Sequence, residues 1–225
     1  MHIEPGIVHG AKMVLAAGTA AASAGVSLKL MANEIRGGGL PSFVARSALA
    51  TVGVLMFFEV LPHFPVGVSE VHLILGTTLL LLLGTGAAAF GLATGLLIQG
   101  MFFAPTDLPM YFVNVTTLLM PLFAIHAVAR RALPRNVAYV DLGYREVLKL
   151  SVAYQGGVVA WVAFWAFYGQ GVSATTLASV GTFGAAYMTV VLLEPLVDLA
   201  VLAGAKSLKG LKNSGLVTQR LYNAA

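Results

Sequence analysis

Apolar runs long enough to cross about 30 Å of hydrocarbon recur along this chain, and they leave it very few ways to fold. Hydrophobic residues make up 58% of its 225 residues and charged ones only 10%, the mix of an integral membrane protein rather than a soluble domain. No stretch between the runs is large enough for a soluble domain. The expectation is therefore all-α: a single transmembrane domain over 1–225, built as one helical bundle. No short charged leader with a cleavage site precedes the first run, so the first helix is expected to be kept. There is no cysteine, which excludes disulfides and thiolate ligands. Any metal site must use nitrogen and oxygen.

Breakers between the apolar runs divide them in order. An Ala-rich helix is expected over 12–31, before the turn Arg36-Gly37-Gly38-Gly39-Leu40-Pro41, and a second over 43–61, stopped by Pro62 and Pro65. The region 72–103 is too long for one span and carries Gly84-Thr85-Gly86 at its middle, so it reads as two. The fifth span covers about 112–129, the sixth about 148–168, and the seventh about 176–203, with a kink at Pro195.

Charge tests this count independently, because short cytoplasmic loops collect Lys and Arg. Lys29, Arg36 and Arg46 flank the first loop, and Arg130, Arg131, Arg135, Arg145 and Lys149 flank the loop between the fifth and sixth spans. Lys206, Lys209, Lys212 and Arg220 lie in the tail. Seven spans place all of them on one side and only Lys12 on the other. The resulting topology has the amino terminus outside and the carboxyl terminus inside, with 205–225 as a basic cytoplasmic tail that rests on anionic lipid.

That topology gathers His2, His9, His63 and His72 in or beside outward-facing segments, while His126 lies near the inner end of the fifth span and reads as an interfacial or core residue making one hydrogen bond. The amino terminus carries chemistry of its own. A bulky second residue leaves the initiator Met in place, so the Met1 α-amine, the His2 amide nitrogen and the His2 imidazole can close two fused chelate rings on one cation. Three nitrogens in a near-plane suit Ni²⁺ or Cu²⁺ and, less well, Co²⁺. His72 opens an unusually short span where loop backbone can dip into the bundle, and it offers the fourth nitrogen.

Several segments, in order, resemble one family. Met1-His2-Ile3-Glu4-Pro5-Gly6 resembles the Met-His-Ile-Pro-Asp-Gly start of the substrate-capture subunits of cobalt and nickel energy-coupling-factor transporters, the CbiM/NikM type. His63-Phe64-Pro65-Val66 and Ser69-Glu70-Val71-His72-Leu73-Ile74-Leu75-Gly76 resemble that family's Asn-Phe-Pro-Val and Thr-Ser-Gly-His-Leu-Leu-Gly. Leu97-Ile98-Gln99 and Val113-Asn114-Val115-Thr116 resemble its Leu-Ile-Gln and Ala-Asn-Ala-Leu. The likeness covers roughly the first 120 residues, departing at Glu4, Pro5, Val71 and Ile74; the last 100 or so match in hydropathy only. It implies a seven-helix fold in a prokaryotic inner membrane, whose segment 1–10 threads into the bundle so that Met1, His2 and His72 share one metal ion, Ni²⁺ or Co²⁺, as transported substrate. It also implies partners: a coupling membrane subunit, two ATPase subunits and a small accessory membrane subunit.

Each imidazole needs its second nitrogen held, and Ser69, Glu70 and Asn114 are the candidates. Gly91-Leu92-Ala93-Thr94-Gly95 is a small-residue spacing for close helix packing. Glu194 and Asp198 stand four apart on one face of the last span, as a proton or ion relay or as partners for a basic residue of another subunit or of the loop near Arg130. No Gly-x-x-x-x-Gly-Lys-Ser/Thr is present, so ATP hydrolysis belongs to other subunits; the motifs of intramembrane zinc or serine hydrolases are likewise missing, and nothing calls for nucleic acid. Two other classes stay open at this stage: an ion-coupled carrier, which should show inverted repeats, and a ligand-free membrane scaffold.

Overall fold

The structure, a computed structural model, describes residues 3–224. Among the described residues eight α-helices and one short hairpin carry the fold: α1 Met13–Gly38, α2 Leu40–Glu59, β1 Phe64–Val66, β2 Ser69–Val71, α3 Gly76–Leu83, α4 Thr85–Phe102, α5 Tyr111–Ala132, α6 Tyr144–Gln170, α7 Ala174–Met188 and α8 Val190–Ser207. Six helical stretches are long and apolar enough to cross a membrane, with α7 and α8 counted as one. Their outer faces carry Val14, Leu28, Val52, Met56, Phe112 and Leu192, all more than 45% exposed, where a water-soluble bundle would place charge. The interior holds the polar residues Ser23, Thr77, Asn114, Thr116, Gln155, Glu194 and Asp198, each below 3% exposed.

The third expected span is a broken passage rather than a full helix. His72 to Leu75 is non-helical, and α3, with eight residues, is only about 12 Å long. Leu75 at φ +54 turns the chain into α3, and Gly84 at φ +88 turns it out again into α4. Gly84 lies against Glu34 and Arg46, at the end of the bundle opposite the hairpin, so 72–84 does travel the depth of the molecule.

Two further boundaries move. The first helix continues past Met31 to Gly38 because its polar last turns have buried partners: Glu34 accepts from the Gly86 amide at 2.6 Å, capping α4 from outside, and from Arg46 at 2.8 Å. The break in the last span falls at Thr189 rather than at Pro195, which lies inside α8. A proline ring clashes with the carbonyl four residues earlier, so the adjustment appears in the turn before it; Thr189 and Leu192 both bond three residues back.

The small-residue spacing in α4 packs as the sequence suggests. A Cβ on Gly91 would collide with Ala50, and one on Gly95 would stand 2.6 Å from Val54 Cγ1, so α2 and α4 meet backbone to backbone. The basic segments converge on one end of the bundle. There Arg220 donates to the carbonyls of Pro134 and Arg135, Lys206 pairs with Asp141 at 2.6 Å, Ser42 donates to Gly215 O, and the Thr218 amide donates to Leu82 O. Lys12 sits at the other end, donating to Gly169 O at 2.7 Å.

Candidate metal centre

At the Lys12 end the chain between α2 and α3 folds into a hairpin that pairs Phe64 with Val71, Pro65 with Glu70 and Val66 with Ser69, closed by a two-residue turn with Gly67 at φ +63. The turn is wedged against α7, where a Cβ on Gly67 would run into Ser179 O. The amino-terminal segment adds itself to this hairpin. Ile3 forms an antiparallel bridge with Ser69, the Glu4 amide donates to Val68 O at 3.3 Å, and the Ile3 amide donates to Asn114 Oδ1 of α5 at 2.9 Å. Ile3, Ser69 and Asn114 are each no more than 1% exposed. Buried non-helical backbone must find its hydrogen bonds inside the protein, and these three do so. Ile7 and Val8 follow into the core, with Ile7 packed over Gly169, where no Cβ would fit.

His72 lies beside this junction at 1% exposure. Its Nε2 donates to Glu70 Oε2 at 2.9 Å, and the Phe58 ring meets it edge-on at 5.3 Å. The imidazole is thereby fixed in tautomer and direction, with Nδ1 as the nitrogen it can present to an ion. His63 stacks on His72 with centroids 4.7 Å apart and planes 8° apart. Imidazole lone pairs lie in the ring plane, and two nearly parallel planes do not meet at one ion. Among the described residues no three of His, Asp and Glu form a group that could hold a metal.

Of the residues singled out by sequence, Ser69, Glu70, His72 and Asn114 come together here. Glu70 holds a His72 nitrogen, whereas Asn114 holds backbone rather than imidazole and Ser69 is a pairing position of β2. Met1 and His2 lie outside the described residues. His9 is exposed and its Nδ1 donates to Gly6 O at 3.0 Å. His126 is half-buried, its Nδ1 2.7 Å from the Thr85 hydroxyl. Glu59 is exposed at the end of α2.

Glu194 and Asp198 do not approach this site. They lie in the interface of α8 with α6 and α3, where Glu194 Oε2 accepts from Ser151 at 2.6 Å and from Gln155 at 2.7 Å, and Asp198 Oδ1 accepts from Thr78. Among the described residues neither is in an ion pair, with Arg130 or any other base. Sequence reasoning missed these neighbours, although Ser151 and Gln155 at i and i+4 on an apolar helix, and the Thr77-Thr78 pair before a run of leucines, were visible signals. It missed Glu34 as well, whose signal was only its proximity to Arg46 across a short turn.

A profile described as the cobalt uptake substrate-specific transmembrane region (CbiM) matches residues 2–209. A solved structure, titled as the crystal structure of a truncated transition metal transporter, superposes with a TM-score of 0.62 over 94% of this chain and 99% of its own, at 18% identity. At that identity the likeness is one of fold. No curated protein sequence matches the chain.

Proposed function

Because the chain belongs to the cobalt uptake substrate-specific transmembrane region family, we propose that it is the substrate-capture membrane subunit of an ATP-driven uptake transporter for Ni²⁺ or Co²⁺. The ion is taken by the Met1 α-amine, the His2 amide and imidazole nitrogens, and His72 Nδ1. One observation carries this reading: the backbone of Ile3 is pinned to Asn114 and Ser69, three residues in sequence from His72. Ile3 is thus held against the strand that leads, three residues on, into His72. Each residue spans about 3.5 Å of chain, so a chelate on the first two has to lie within roughly 10 Å of Ile3, the same neighbourhood as the fixed imidazole.

Four nitrogens in a plane favour Ni²⁺ over hard cations such as Mg²⁺ or Ca²⁺. The amide must lose its proton to bind, as must the amine and the imidazoles, so capture releases protons and strengthens as pH rises. The amino terminus faces outward, where the ion arrives. The end holding Arg46, Lys206 and Arg220 faces the cytoplasm, in keeping with the positive-inside bias, and there a coupling membrane subunit, two ATPase subunits and a small accessory membrane subunit dock in the prokaryotic inner membrane. The passage 72–84 counts as the third of seven crossings, made by loop and short helix together. Titrating Ni²⁺ and Co²⁺ into the detergent-purified chain and into His72→Ala tests the site. Loss of tight binding in H72A is the expected result; equal affinity in both would place the ion elsewhere.

A further inference from the structure

The interface of α3, α6 and α8 buries two carboxylates and gives them no countercharge. Glu194 is 0% and Asp198 1% exposed, they sit one helical turn apart, and among the described residues neither is in an ion pair. Each has one oxygen that is satisfied and one that is not: Glu194 Oε2 accepts from Ser151 and Gln155 while Oε1 has no partner, and Asp198 Oδ1 accepts from Thr78 while Oδ2 has none. Other polar atoms around them are orphaned too. Gln155, wholly buried and fixed by its own bond to Glu194, leaves Oε1 without a donor, and the hydroxyls of Tyr154 and Tyr187, both 0% exposed and within electrostatic reach of Glu194, have no partner.

Two adjacent negative charges in a membrane interior, with no cation beside them, are among the most unfavourable arrangements a bundle can contain. A proton on each orphaned oxygen removes the charge and leaves a neutral hydroxyl where the bundle otherwise buries an unpaired carboxylate oxygen. We infer that Glu194 and Asp198 form an intramembrane proton-binding site, with the protons carried on Glu194 Oε1 and Asp198 Oδ2. The titratable groups facing the pair are Tyr154 from α6 and Tyr187 from α7; α3 contributes the hydroxyl of Thr78. The helix 139–141 meets α8 through the Asp141–Lys206 pair, two turns beyond Asp198, and the helix 209–213 packs beyond that again. Losing the Asp198 proton would set a charge against α3. That helix begins four residues after His72 and packs on α6 through the Tyr154 ring over Gly76.

The site is measured on metal-free protein, so its failure and the failure of metal capture are separate results. Infrared spectra of the full chain at neutral pH, in H₂O and D₂O, should show the carbonyl stretch of protonated, solvent-shielded carboxyls, with one component lost in Glu194→Gln and another in Asp198→Asn. Only ionised carboxylate bands, unchanged in both variants, would overturn the assignment. Thermal melting gives a second reading. A carboxyl protonated in the folded chain and ionised on unfolding contributes stability that is lost as pH rises past the ordinary carboxyl range, so the wild type should melt at progressively lower temperature from about pH 4 through neutral pH, and the double variant E194Q/D198N should lose that slope. An identical slope in both proteins would also overturn the assignment.

Discussion

The α2–α4 seam and the hairpin end solve opposite problems. Along the seam, Gly91 and Gly95 let two regular helices touch backbone to backbone over more than one turn. At the hairpin end the backbone is irregular and partly buried, and it relies on contacts between distant parts of the chain, among them Asn114 on the Ile3 amide, Glu70 on His72 and Ser179 against Gly67. Leu75, the one non-glycine residue at positive φ among those described, sits just beyond it, a conformation that costs roughly 1–2 kcal/mol and persists because α3 is locked below. The seam spreads its contacts over more than one turn; the hairpin end depends on a few long-range ones. Damage to the seam should therefore appear as lost stability, and damage to the hairpin end as lost capture.

Replacing Glu70 with Gln is the sharpest way to test that division. The amide keeps the shape but no longer fixes the His72 tautomer with a charged acceptor, and the affinity for Ni²⁺ should fall about 10–100-fold, read by calorimetric titration, with little change in melting temperature. Asn114→Leu should do somewhat less to capture. It leaves the buried Ile3 amide without an acceptor, at about 1–3 kcal/mol, and the amino-terminal segment should become accessible to proteolysis while the helices stay intact by circular dichroism. Gly95→Val should act in the reverse sense. It forces a side chain into Val54, lowering stability by about 1–3 kcal/mol in thermal unfolding, yet leaving the Ni²⁺ affinity of the folded fraction unchanged. A G95V protein that melts normally but binds poorly would break the comparison.

The same contrast explains what could be read from the sequence. Hydropathy and the Gly91/Gly95 spacing make the seam legible, because both report on regular helices with period 3.6. The hairpin was not legible: strands of three residues, one containing Pro65, carry too little alternation to register. His72 was singled out by type and position, but the Ile3–Asn114 bond joins residues 111 apart, and no local pattern encodes it. The first helix runs past the apolar stretch because Glu34, in its polar last turns, caps α4 and pairs with Arg46. In the last span Pro195 gave the existence of a break but not its place, since the strain it creates is relieved in the preceding turn.

The central claim is that the chain grips its ion by its own first two residues together with His72. The most direct measurement is a Ni²⁺ and Co²⁺ titration of the protein with its native terminus beside a form carrying two glutamines inserted between Met1 and His2, bulky enough to keep Met1, which moves the amine out of the fused chelate while leaving every described contact in place. Tight binding by the native form, lost on insertion, is the predicted result. Equal binding by both forms would contradict it.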